Sequence, residues 1–498
     1  MKESIPFEDH LASTGISGLD DILMGGLPSS RFILLEGAPG TGKTTLAIQF
    51  LLEGVLKGES GLYITLSETK DELNGVARSH GWDLSKIKLF DLEASDEDGL
   101  PDGQYTFFHP SEVELGQTTQ SLIDEFERIQ PKRVVFDSLS EMRLLARDPL
   151  KYRRQVLALK QYFTKRDASV LVLDDLTSSN SDLQPQSIAH GVISLEKSSP
   201  DYGTDRRRLI ITKMRGVGFI GGYHDYLIEK GGIRVFPRLI ANKHGVNFTR
   251  RIAKSESPEL NALLGGGIDY GSSNLILGPA GSGKSSLALH FIVAALNRGE
   301  KAVIYLFDEN ERSYIARSEG INLGIKKFIA SKQLVIKQID PAELVPGQFA
   351  QMVRDSVELE KVSCLIIDSL SGYMHAMPEE RSLILHVHEL LTYLSQMGIL
   401  SILLLVQHGL IGRMESSAID LSYIADSAFL LRYFESKGKV RKAISVLKKR
   451  SGYHEDSVRE FSFSHAGLKV GRPLENFEGI LTGNTRFVDL PLGGTSDE

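Results

Sequence analysis

One cysteine, Cys364, stands among 498 residues, so no intrachain disulfide can form, and its place in an apolar run ending at Asp368 makes it a strand thiol. No stretch approaches the ~18 apolar residues of a membrane-spanning helix. Ile399 to Val406 has the length of a buried strand. The first residues, Met1-Lys-Glu-Ser-Ile-Pro, carry no basic-then-apolar secretory pattern, which with the lone thiol gives the expectation of a cytoplasmic protein. Positive charge is not in excess either. A formal net charge of −7 offers no global attraction to a phosphate backbone, which disfavours a dedicated duplex binder while allowing a local basic channel. The run Arg206-Arg-Arg208 reads as a solvated or interface strand edge, and His386 and His388, two apart in a helical segment, face different ways and make no metal pair.

What remains is an ordinary globular composition, 41% apolar and 24% charged, in a chain too long for one core, so two domains of about 250 residues fit. Within it one loop occurs twice: Gly37-Ala-Pro-Gly40-Thr41-Gly42-Lys43-Thr44-Thr45 and Gly278-Pro-Ala-Gly281-Ser282-Gly283-Lys284-Ser285-Ser286, each after a hydrophobic run. Glycines at this spacing let backbone N–H groups turn inward around phosphate oxygens, and the following helix aims its positive end at them. The lysine neutralises the terminal phosphates, and Thr44 or Ser285 holds Mg²⁺. The lysines lie about 240 residues apart, one whole nucleotide-binding domain, so entire domains repeat and two nucleotides per chain are expected.

The halves match beyond the loops. Thr14 to Gly26 and Ser257 to Gly267 both lead into the loop strand, and each loop is followed by a helical pattern and an apolar strand ending in acids. The runs Arg133 to Asp137 and Cys364 to Asp368 read as central parallel strands, and each half closes with β-rich segments. The expected fold is α/β: two tandem P-loop domains with mainly parallel central sheets and antiparallel additions. The stretch Pro237 to Ser257 lacks helical periodicity and reads as the linker, giving domains 1–247 and 248–498, and Gly493 to Glu498 reads as a disordered tail.

Phosphoryl transfer is mostly positioning and charge stabilisation, so a P-loop enzyme needs a strand-end aspartate for the metal and a carboxylate for the nucleophile. Asp137 and Asp368 fit the first role, with a helix N-cap as the plain alternative. Glu68 in the first half, and Asp308 and Glu309 in the second, follow the next strand and are the candidates for the second role, again with helix capping as the alternative.

The tandem loops, the strand-end acids, Lys213-Met214-Arg215-Gly and Lys448-Lys-Arg450 together resemble the KaiC family of clock ATPases and autokinases, RecA-like P-loop proteins, over nearly the whole chain. Further matching stretches are Ala77 to Leu84, Leu430 to Glu435 and Tyr453 to Phe461. The resemblance implies a two-tier homohexamer binding ATP and Mg²⁺ between subunits, with the neighbour's Lys213, Met214 and Arg215, or Lys448 and Arg450, against each nucleotide. It implies Ser79 as a nucleotide-side residue and KaiB-like or other signalling proteins as partners.

Departures from the family matter as well. Paired glutamates become Ser67-Glu68 in the first half and Asp308-Glu309 in the second, so slow turnover is expected at both sites. The family's phosphorylated Ser-Thr pair falls on Ser422-Tyr423, leaving Ser422 as the one acceptor candidate, with a plain loop serine as the alternative. Trp82 and Tyr433 read as packing aromatics rather than adenine platforms, and the activator-docking extension is short and dissimilar here. The rival reading is a RecA- or DnaB-like DNA motor, which would need stimulation by single-stranded DNA.

Overall fold

The computed structural model describes residues 11–91, 111–146, 148–176, 184–375, 380–407, 423–465 and 467–488. Compactness divides the chain into Met1–Arg238 and Leu239–Glu498. The sequence reading put this division at 247/248, but Leu239 and Ala241 are buried in the second unit's core with Leu275 and Leu403, beside a short 3₁₀ turn at Ala241–Lys243. Among the described residues no helix is long and apolar enough to cross a membrane.

Each unit is built on a nine-stranded sheet. In the first these are β1 (Phe32–Gly37), β2 (Gly61–Thr65), β3 (Ile87–Asp91), β4 (Arg133–Asp137), β5 (Ser169–Asp175), β6 (Gly191–Ser198), β7 (Arg206–Met214), β8 (Tyr223–Glu229) and β9 (Gly232–Phe236). The second has β10 (Ser273–Gly278), β11 (Ala302–Leu306), β12 (Leu334–Gln338), β13 (Cys364–Asp368), β14 (Leu400–Val406), β15 (Ser427–Ser436), β16 (Lys439–Lys449), β17 (Arg459–Ser464) and β18 (Gly467–Pro473). The first sheet runs β9-β8-β7-β6-β1-β5-β4-β2-β3, and adding nine to every label gives the second. Six strands are parallel, and the last three in each unit are antiparallel additions, as expected from the sequence.

The apolar runs read as continuous because helices cover both faces of the parallel strands. Every residue of β1 and of β4 is buried, with Ile33 and Leu35 in one core layer and Phe32 and Leu34 in the other. The second unit repeats this at Ile276 against Leu275 and Leu277. Such a sheet places the carboxyl ends of β1, β2, β4 and β5 along one edge, where a ligand reaches backbone and side chains from several strands.

Candidate functional site

The two glycine-rich loops leave β1 and β10 at that edge. Gly40 and Gly42 (φ +78° and +93°), like Gly281 and Gly283 (φ +71° and +104°), hold left-handed backbone that a side chain would strain. Gly42 and Gly283 are the N-caps of α1 (Lys43–Leu56) and α3 (Lys284–Asn297), and neither helix has a side-chain cap. Their first N–H groups are left for a ligand, and the helix dipole selects an anion. The Thr41 hydroxyl donates to the Ala38 carbonyl at 2.8 Å, and Tyr226 donates to the Thr41 carbonyl at 2.6 Å, bracing the first loop. Ser282 is buried, and its Oγ has no partner among the described residues.

Both loop lysines curl back over their loops. Lys43 Nζ donates to the carbonyls of Gly37 (2.8 Å) and Ala38 (3.2 Å), and Lys284 Nζ to those of Gly278 and Pro279, both at 2.9 Å. Lys43 also pairs with Asp175 at 2.6 Å, at the end of β5. In the second unit the equivalent strand position is Val406, and burial lowers the Lys284 ammonium to about 8. Thr44 and Ser285 follow in the half-buried first turn, and Thr45 and Ser286 are buried behind them.

Asp137 and Asp368 end β4 and β13 one strand beyond the loop strand's neighbour. Asp137 Oδ2 accepts from the Tyr63 hydroxyl at 2.5 Å, and burial pushes its carboxyl up to about 6. Asp368 is also raised by burial; it is hydrogen-bonded to Ser285, yet its Oδ2 is buried without a partner among the described residues. In both units the peptide bond after this aspartate is cis. Among the described residues no three His, Cys, Asp or Glu side chains cluster as a metal site. One carboxylate and one hydroxyl are the donor set that suits Mg²⁺ arriving with phosphate oxygens and water. Thr44 with Asp137, and Ser285 with Asp368, fit that ion.

The capping alternative for the acids fails, because Thr69 caps the first α2 helix (Lys70–His80) through a capping box with Glu72, and Asn310 caps α4 (Glu311–Gly320). Glu68 is left to face the loop. Thr44 Oγ1 donates to its Oε1 at 3.4 Å, and its Oε2 is buried with no partner among the described residues. Burial first, then the Asp137 charge, pushes Glu68 up to about 7. Its counterpart in the second unit is Glu309, since Leu66 and Phe307 make the same bond to the strand-end aspartate. There the surroundings differ. Glu309 is ion-paired to Arg317 at 2.6 Å, and Asp308 accepts from Ser369.

The basic pairs lie elsewhere. Lys213 registers with Val192 on β6, which registers with Leu34 on β1. Arg215, whose N–H donates to the His190 carbonyl, falls level with Phe32, five residues before Gly37. Lys448 and Arg450 repeat this, with Arg450 bonded to the Asp426 carbonyl and level with Ser273, five residues before Gly278. At ~3.3 Å per residue each arginine's backbone is roughly 16 Å down the sheet from its own loop strand's end. Both arginines are exposed, and Lys213 and Lys448 are half-buried, donating to the Gln186 and Ala425 carbonyls. Met214 points inward against Gly191, in the core. Around Arg215 these cations have no carboxylate partner among the described residues, and burial, with the charges of Lys160, Arg31, Arg215 and Lys213, lowers His190 to about 4. Arg450 instead has Asp426 at 3.5 Å.

Ser79 is exposed in the last turn of its helix, its hydroxyl donating to the Val76 carbonyl at 2.7 Å. Ser422 and the tail from Gly493 lie outside the described residues. Arg206 to Arg208 form part of β7, where Arg207 pairs with Asp205 and Arg208 with Glu196. Asp175, Tyr63 and Arg317 escaped the sequence reading. Asp175 ends an apolar strand as Asp137 does, a signal that was present; Tyr63 and Arg317 had none.

A doubly wound sheet, a glycine loop at a helix N-terminus and a strand-end aspartate define a P-loop nucleotide-binding domain, here present twice. The family model for the KaiC ATPase matches residues 12–240 and again 253–475. The circadian clock protein KaiC3 of Synechocystis sp. is 27% identical over 486 residues, 95% of this chain and 94% of its own. The circadian clock oscillator protein KaiC of Synechococcus elongatus is 27% identical over 95% of this chain and 91% of its own, and that of Picosynechococcus sp. 28% over the same shares. The chain belongs to the KaiC ATPase family, with tandem RecA-like domains.

Proposed function

We propose that the chain hydrolyses ATP slowly at both loops, and that each site is completed by the basic pair of a neighbouring copy in a homohexameric ring. The single observation that carries this reading is the placement of Lys213 and Arg215, and of Lys448 and Arg450, at the sheet end opposite their own loops. A cation that far away serves a phosphate only on another molecule. The cluster of Arg31, Lys160, Lys213 and Arg215, without a carboxylate partner among the described residues, supports an anion from outside.

In this reading ATP lies along the loop N–H groups, with Lys43 or Lys284 on its terminal phosphates. Magnesium bound by Thr44 and Asp137, or Ser285 and Asp368, supplies charge neutralisation. Glu68 or Glu309 accepts a proton as the water oxygen bonds to the γ-phosphorus. The bond from that phosphorus to the β-γ bridging oxygen breaks, giving ADP and inorganic phosphate. The donated arginine stabilises charge developing on the transferred group. Native mass spectrometry with and without Mg-ATP tests the assembly: hexamers carrying two nucleotides per chain are expected, and a species that stays monomeric removes the reading. Turnover unaffected by single-stranded DNA is expected as well; stimulation would move the chain to the DNA-motor class.

The relatives are named for the circadian clock, and we place this protein in timing or a related signalling role in the cytoplasm, read by KaiB-like or other protein partners. Ser422 directly precedes Tyr423, whose carbonyl accepts from Arg450 at 2.9 Å. The acceptor candidate would take the γ-phosphoryl group of ATP held on the second domain. Incubation with Mg-ATP should add one phosphate at Ser422, and Lys284→Ala should prevent it. Peptide mass spectrometry showing Ser422 unmodified in the wild-type chain rejects this step.

A further inference from the structure

The two proposed general bases are held differently by their own helices. Glu68 and Glu309 each immediately precede an N-cap, Thr69 and Asn310, and the residue seven past the cap differs between the two helices. In the first unit that residue is Val76, which packs against the core, and the Glu68 carboxylate has Thr44 as its side-chain partner among the described residues. In the second it is Arg317. Its Nη2 sits 2.6 Å from Glu309 Oε2, and its guanidinium lies over the Tyr314 ring, 5.0 Å from the centroid. Its Nε is buried with no partner among the described residues, while the side chain as a whole is part-exposed.

We propose that Arg317 is a positioning residue that restrains the second site, pinning the Glu309 carboxylate as an ion pair away from the attacking water and thereby slowing hydrolysis relative to the first. This rests on the reading of Glu309 as the proton acceptor. Pairing removes freedom: a charge-assisted bond to a guanidinium fixes the direction in which the carboxylate points. Glu68 has Asp137, Glu72 and Asp175 around it and no arginine ion-paired to it among the described residues. The charged and titratable groups acting around Glu309 are Arg317, Asp368 and Tyr314, with its chain neighbour Asp308 and, acting on Asp368, Lys284. The second unit would hold ATP longer before spending it, leaving more time for transfer to a serine.

The test uses the full-length chain with Glu68→Gln, so that the remaining turnover comes from the second unit. Arg317→Val, the first unit's residue, should raise that turnover about fivefold, the scale of a partly exposed ion pair, with nucleotide affinity by calorimetry essentially unchanged. The gain should appear in kcat with KM unchanged, which a packing role alone would not produce. Arg317→Gln, which keeps the bulk, should give the same gain and guards against a Val variant that misfolds. Turnover unchanged or lowered with binding intact overturns the proposal; a lowered rate would make Arg317 a cation acting on the phosphates. Glu309→Gln alone decides the underlying reading. If it leaves second-unit turnover intact, Glu309 is not the acceptor and the restraint falls with it. If it abolishes turnover while Arg317→Val gives no gain, only the restraint fails.

Discussion

Arg215→Ala should leave ATP bound at the first site and stop its turnover. Arg215 is exposed just past the end of β7, bonded through its backbone to His190 and with no side-chain hydrogen bond or ion pair among the described residues, so removing its side chain should change stability little. Trans arginines that stabilise phosphoryl-transfer charge are worth on the order of a thousandfold or more in rate, and that is the loss expected per site. Calorimetry should report unchanged first-site affinity while single-turnover hydrolysis collapses. The stronger form of the experiment mixes Arg215→Ala chains with Glu68→Gln chains. Each variant is inactive at the first site alone, yet in mixed assemblies some sites pair an intact Glu68 with an intact Arg215, about a quarter at equal mixing in a random cyclic assembly. Recovery of turnover on mixing supports the donated cation. Full activity of Arg215→Ala by itself refutes it.

Glu68→Gln should lower first-site turnover by a factor of roughly a hundred to ten thousand while sparing binding, because an amide keeps the shape and cannot take a proton. Its pH dependence carries a sign. Burial and the Asp137 charge hold Glu68 at about 7, and a base works only when deprotonated. First-site turnover should therefore rise between pH 6 and 8 and level off above, the reverse of the profile for a group acting as an acid. Steady-state rates in the Arg317 wild-type background, with the second site silenced by Glu309→Gln, would display that limb. A flat profile from pH 6 to 8, or a Glu68→Gln variant at wild-type rate, removes Glu68 from the chemistry.

Sequence alone gave the loops, the strand-end aspartates and the basic pairs, because each is a local pattern with a local cause. Glycine spacing sets the left-handed turns, an apolar run ending in Asp sets a buried strand terminus, and Lys-x-Arg at equal spacing in both halves exceeds chance. Antiparallel closing strands were legible from the β-rich segments near Asp225 and Lys439. What could not be read were pairings fixed only by register and helix geometry. Lys43 meets Asp175, and Tyr63 meets Asp137, across scores of residues; Arg317 returns to Glu309 over two helical turns. The same holds for the division of the chain, where Leu239 and Ala241 follow burial rather than the turn signals near Asn247.

One consequence follows from the loops and the cations occupying opposite ends of each nine-stranded sheet. In the ring proposed above, the contact that joins one to the other is head-to-tail, and an open filament would leave an idle end. Closure alone engages every copy equally. Specific activity should therefore climb steeply with protein concentration and then stop climbing once closed species dominate.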